Sequence, residues 1–222
     1  DYIKACSNYE KFLLLLKSFD IEIQFLLEDK NTTIDSIYTH DPCIVCDKGI
    51  ILCSMGKESR VNEPLALKKY FESVNIPILG KIENPGLLEG GDIVWIDKKT
   101  IAIGEGYRSN IHGIKQLKSI LGELIEELIV VPLPHWNGKN DCLHLMSNLS
   151  PVDHNLFLVY PRLLPVSFLQ YLIDIGIELI EVPDSEYESM GCNVLTVEPK
   201  KVIMVDGNPK TKSRLEKKGV HV

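Results

Sequence analysis

The chain has 222 residues, 45% of them hydrophobic, and a formal net charge of -7 from 24 Lys and Arg against 31 Asp and Glu. That length supports one sizeable core, and the acidic balance argues against a nucleic-acid-binding surface. Apolar runs such as residues 12–16 are far too short to span a bilayer, so no membrane partner is expected either. No positively charged leader opens the sequence, and its first residue is Asp1 rather than Met, so the chain is expected to lack its natural start. Six cysteines (Cys6, Cys43, Cys46, Cys53, Cys142 and Cys192) lie scattered, mostly in apolar runs, as reduced, packed thiols of a cytoplasmic protein would. Cys43 and Cys46 have metal-ligand spacing. No second pair follows, however, and strand alternation sends their side chains to opposite faces, so packing is the expectation.

In chain order, residues 1–19 predict an amphipathic helix with Phe12, Leu13, Leu16 and Phe19 on one face. A strand over 21–27 and a polar loop over 28–36 follow. Next comes a hairpin, 41–46 and 50–53, with its turn at Asp47-Lys48-Gly49, then a helix over 62–74 and a strand over 76–82. The same order recurs. Asp92 opens a second hairpin, with a helix at 110–121 and a strand at 129–133. His144 opens a third, with a turn at Asp153-His154-Asn155, a helix at 165–175 and a strand at 177–182. Asn193 opens a fourth, with a helix at 209–218 and a closing strand from Val220. Gly122, Gly176 and Gly219 sit where helices favour a left-handed cap. The unit is therefore strand, turn, strand, helix, strand at a spacing of roughly 50 residues, within the range of closed arrays. Residues 1–27 form the back half of a fifth unit, and one strand before Asp1 and one after Val222 are expected to complete it.

The stretch from Asn84 to Asn110 organises the sequence. Glu89 and Asp92 bracket Gly90-Gly91 at the mouth of an apolar strand, and glycines there permit close approach. Buried carboxylates need partners, and a cationic ligand would serve. Quasi-symmetry points the residues that start the hairpins, Asp41, Asp92 with Glu89, His144 and Asn193, toward one axis. Acid, imidazole and amide groups around one cavity suit a cation with several N–H donors.

At these residues the chain resembles the guanidino-group-modifying superfamily, which includes arginine deiminases, dimethylarginine dimethylaminohydrolases and amidinotransferases. The resemblance covers essentially the whole chain. It rests on Tyr38-Thr-His-Asp-Pro42, Leu88-Glu-Gly-Gly-Asp92, Gly104-Glu-Gly-Tyr-Arg-Ser-Asn110, Cys142-Leu-His-Leu-Met-Ser147 and Gly191-Cys-Asn-Val-Leu195. It implies an α/β fold of five ββαβ blades, the pentein propeller, as a single domain over 1–222 with its fifth blade incomplete. It also implies attack of a cysteine thiolate on the guanidinium carbon, without metal or organic cofactor. Glu89 then orients the guanidinium as the catalytic acid, and His144 is the general acid and base. Asp41 binds the guanidinium nitrogens, Asp92 and Asn193 line the cavity, and Arg60 and Arg108 at its mouth hold a substrate carboxylate. The nucleophile is expected beyond Val222, with Cys192 assigned to packing.

Read as residues alone, alternatives stay open. Asp41 before Pro42 is also turn chemistry, His144 between leucines is also a satisfied core imidazole, and Arg60 also pairs with Glu63 on the next helix. Met146 stands where arginine deiminases carry a second acid, which favours an N-substituted guanidine, and His40 departs from relatives too. The first function expected is hydrolysis of a small guanidino amino acid to a citrulline-like ureido product. An amidinotransferase and a non-catalytic pentein binding protein, like a ribosome anti-association factor, are the alternatives. A homodimer is compatible with the resemblance.

Overall fold

The computed structural model describes residues 2–222; Asp1, where the predicted first helix begins, lies outside them. Helix α1 (Tyr2–Lys17) buries none of its residues. Of its predicted apolar face, Leu13, Leu16 and Phe19 are half-buried and Phe12 is exposed. The strand expected over 21–27 does not form. A strand exists only through its ladder, and no described strand pairs with this segment.

Four hairpin units follow. In the first, β1 (Cys43–Cys46) and β2 (Gly49–Leu52) run antiparallel, helix α2 (Glu63–Ser73) crosses over, and β3 (Ile78–Lys81) returns parallel to β2. The second comprises β4 (Ile93–Trp95), β5 (Thr100–Glu105), α3 (Ile111–Leu121) and β6 (Glu127–Pro132). In the third, a short helix α4 (Leu145–Asn148) separates His144 from the hairpin of β7 (Leu149–Asp153) and β8 (Leu156–Val159). Helix α5 (Val166–Asp174) and β9 (Glu178–Glu181) complete it. The fourth holds β10 (Val194–Glu198), β11 (Lys201–Met204) and α6 (Pro209–Lys217). Its expected closing strand is only a parallel bridge between Lys201 and His221.

The second hairpin strand is the middle of each three-stranded sheet, hydrogen-bonded on both edges, and it is buried on both faces as well, so it reads as an apolar run. β2 and β8 are buried throughout, and Ile101, Ala102 and Ile103 of β5 are fully buried. Alternate residues of β5 serve two cores. Ile101 and Ile103 pack with Ile114, Leu117 and Leu121 of α3 and with Ile51 of the first unit. Ala102 faces the other way, into a cluster with Phe157, Val159 and Phe168 of the third. Neighbouring units thus share cores across each seam. Asn110 caps α3 by accepting from Gly113 N–H at 2.9 Å, and Gly122, Gly176 and Gly219 take positive φ after their helices. No helix among the described residues is long and apolar enough to cross a membrane.

Candidate active site

The hairpins enter from one end and turn at the other, and the chemistry gathers at the entry end. Asp41 stands two residues before β1, Glu89 four before β4, and His144 just before α4. One ligand atom from each lies within 4.8 Å of the other two, and all three residues are buried. Three such groups can cradle a cation. A cavity of about 950 Å³ lies instead at the turn end, lined by Val45, Trp95, Phe157 and turn residues such as Lys48 and His154. None of the three lines it.

Glycine at 90 and 91 follows from packing. A Cβ on Gly90 would lie 2.1 Å from the His40 carbonyl oxygen, and one on Gly91 would lie 2.3 Å from His144 Nδ1 and 2.9 Å from Asp41 Oδ1. The imidazole and the first carboxylate rest on this glycine. Gly90 N–H donates to the Asp41 carbonyl at 2.8 Å, and Gly91 N–H donates to Asp41 Oδ1 at 3.1 Å, tying the first unit to the second.

Glu89 is fully buried, and each of its oxygens has a partner. Its Oε2 lies 2.8 Å from His144 Nε2, its Oε1 accepts from Gly56 N–H at 2.8 Å, and Arg108 Nη1 reaches both oxygens at 3.2–3.3 Å. Burial pushes its carboxyl up, but the His144 imidazole and the Arg108 guanidinium outweigh burial and hold it below the usual range. For His144, burial favours the neutral ring. The Cys142 thiol and the Glu89 and Asp92 carboxylates overcome this and lift the imidazole well above its ordinary value. The His144 backbone N–H donates to Ser147 Oγ at 3.1 Å, and its Nδ1 lies 3.9 Å from Asp41 Oδ1.

Asp92, expected to line the cavity, stands behind it with no exposure. Its Oδ2 accepts from Ser109 Oγ at 2.6 Å and its Oδ1 from Leu145 N–H at 3.0 Å, so it anchors the backbone that carries His144. Ser109 also accepts from Glu89 N–H at 3.1 Å. Sequence reasoning gave it no role, although it directly follows Arg108 in the quoted motif.

Arg60 is a correction. It does not stand at the mouth. It is buried, with Nη1 on Asp41 Oδ2 at 2.6 Å, Nε and Nη2 on the Glu63 carboxylate at 2.8–3.1 Å, and Nη2 also on the Tyr38 carbonyl at 3.0 Å. With its fork filled by two carboxylates and a carbonyl, it has no free edge for a substrate carboxylate. The pairing with Glu63 forms, but in the interior rather than on the surface. Arg108, 9% exposed, spends only Nη1 on Glu89 among the described residues. Asn193 is exposed just before β10, and no hydrogen bond among the described residues joins its side chain to the cluster.

Cys192 is buried in the apolar cluster of the fourth unit, and burial pushes its thiol far up, as suits a packed side chain. Cys142 departs from the expectation of packed thiols: it is exposed, with Sγ 3.6 Å from His144 Nδ1. Its spacing of two residues from His144 was the signal that could have found it. Met146 is half-buried against the apolar cluster that includes Leu145 and Val131.

A family model described as arginine deiminase matches residues 11–177. The chain is 28% identical over 222 residues to the N(G),N(G)-dimethylarginine dimethylaminohydrolase of Pseudomonas aeruginosa, covering 100% of this chain and 81% of that one. It is 23% identical to an arginine deiminase of Listeria welshimeri, covering 83% of this chain and 55% of the relative. A solved Pseudomonas aeruginosa dimethylarginine dimethylaminohydrolase, a cysteine-to-serine mutant complexed with citrulline, superposes with a TM-score of 0.83 at 28% identity, covering 100% and 81%. The N-terminal domain of a cyanobacterial arginine dihydrolase shares the fold, with a TM-score of 0.86 at 19% identity, covering 100% and 79%. The chain belongs to the arginine deiminase family, whose dimethylarginine dimethylaminohydrolase and arginine deiminase members are hydrolases of C–N bonds in linear amidines.

Proposed function

We propose that this protein hydrolyses the guanidino group of an N-substituted, arginine-like amino acid through a covalent thiolate–amidino intermediate. The observation that carries the reading is the convergence of Asp41, Glu89 and His144 from three units within 4.8 Å. Two carboxylates accept N–H bonds from a planar cation and fix its plane. The thiolate sulfur bonds to the guanidinium carbon. The C–N bond to the leaving amine then breaks as the imidazolium of His144 gives that nitrogen its proton. Neutral His144 next takes a proton from water, whose oxygen bonds to the amidino carbon, and the C–S bond breaks. A neutral ureido product and the thiolate remain, and the proton left on the oxygen passes to the released amine, which departs as an ammonium ion. Met146, two residues after His144 and packed on the apolar cluster, offers no second carboxylate, and a bare N–H end left unpaired would cost about 1–3 kcal/mol, which favours an N-alkyl substituent. The name of the Pseudomonas aeruginosa relative points the same way.

The reading includes one domain over 1–222 in a cytoplasmic protein, a fifth blade that closes the array, and a nucleophile carried by the segment that the resemblance expects after Val222. A second reading rests on one observation, the 3.6 Å from Cys142 Sγ to His144 Nδ1: Cys142 itself is the thiol that His144 serves. One experiment separates them. The 222-residue chain, the full-length chain and its Cys142→Ser variant are incubated with arginine and N-methylated arginines, with and without an acceptor amine. Full-length protein and the variant should both release alkylamine and form the ureido product, and the 222-residue chain should bind without turnover. Amidino transfer without any ureido product defeats the hydrolase reading, and turnover lost in Cys142→Ser favours Cys142.

A further inference from the structure

Glu63 is left without a task by this mechanism, yet it is only 2% exposed in the first turn of α2. Its carboxylate receives Arg60 Nε and Nη2, the bidentate geometry that fixes a guanidinium most firmly. The remaining Nη1 of the same guanidinium sits on Asp41 Oδ2 at 2.6 Å. A cation so close to Asp41 works against Asp41 as a receptor for a second cation, because one buried guanidinium neutralises one carboxylate. Within this triad two carboxylates share one guanidinium and one negative charge is left over, while the His144 imidazole nearby is bonded to Glu89. Asp41 Oδ1, held by Gly91 N–H, is the oxygen that faces His144.

We infer that Glu63 is a positioning residue for substrate binding: it fixes the Arg60 fork so that Asp41 is aimed by Arg60 yet stays net anionic toward an incoming guanidinium. The inference rests on the guanidino reading given above. It also accounts for the burial of three charged side chains together, since each is satisfied by another and removal of any one strands a charge. The first turn of a helix is a favourable place for the added anion.

The test uses the full-length chain and methylguanidinium, a cation with no carboxylate, so that no contact to a substrate carboxylate enters. Binding and melting curves are measured for wild type, Glu63→Gln, Glu63→Asp and the double variant Arg60→Met with Glu63→Gln. Glu63→Gln should weaken binding on the order of tenfold, as expected for one charge lost several ångströms from the ligand. Glu63→Asp should recover part of that loss. The double variant removes one charge of each sign and should bind more tightly than Glu63→Gln alone, though below wild type because Arg60 no longer aims Asp41, and a merely structural role for Glu63 would not produce that recovery. A folded Glu63→Gln that binds as tightly as wild type overturns the inference, and so does a double variant as weak as the single one. Should Glu63→Gln fail to fold, the double variant decides alone, because it buries no unpaired cation. Wild-type protein that ignores methylguanidinium sinks the guanidino reading and this inference with it, whereas binding that every variant shares sinks this inference alone.

Discussion

Burial raises the Asp92 carboxyl from 3.8 to about 6, against the His144 cation, the Ser109 hydroxyl and the Leu145 amide that favour its charged form. The folded state therefore holds a proton that the unfolded chain has already released between these two values. Stability from this group is complete below about pH 4 and is lost as pH rises through about 6, a change of about 3 kcal/mol. Glu89, held below its ordinary range, has the opposite slope: its contribution is present above the usual carboxylate value and is lost on acidification. Asp92→Asn should abolish the loss of stability between about pH 4 and 6, as urea unfolding across that window would show. Identities and rough roles were legible at this scale; partners were not. Asp92 bonds Leu145 across 53 positions, and Arg60 bonds Asp41 across 19, which no local pattern encodes. The exposed thiol of Cys142 was hidden for the same reason, since only the path of the chain decides which cysteines meet water.

Among elements, the Gly90-Gly91 turn carries the tightest steric demand. Gly91→Ala would drive a methyl into the His144 ring, and the ring or the turn must move. Overpacking of this kind costs about 1–3 kcal/mol, and a displaced acid and base loses roughly a hundredfold or more in turnover. Gly106→Ala is the control, because its nearest neighbour, Leu133 Cβ, is 3.4 Å away, and it should leave both nearly unchanged. Melting temperature and turnover of the two full-length variants check this. The hairpins could be read in advance because short apolar runs bounded by Asp-Lys or His-Asn turns have few other uses. Residues 21–27 carry the same signal, yet strand formation needs a neighbour, and none of the described strands supplies one. Helix α4 escaped notice because four residues leave no periodicity to detect.

For the whole molecule, protection should follow burial. The middle strands lie inside two cores at once, whereas α1 buries none of its residues and the segment over 21–27 has no ladder. Amide hydrogen exchange on the 222-residue chain should find α1 opening at a small fraction of the global stability and β5 opening only with the whole. An α1 as protected as β5 would refute this ordering. The shared seams have a further consequence. Each of three units contributes one group to the cradle, and the units meet through side-chain packing and a few hydrogen bonds, with a separate sheet in each. A bound cation is therefore a rivet through three plates. Its free energy of binding, about 2.7 kcal/mol at a hundredfold excess over the dissociation constant, falls on the joints between units rather than on any one of them.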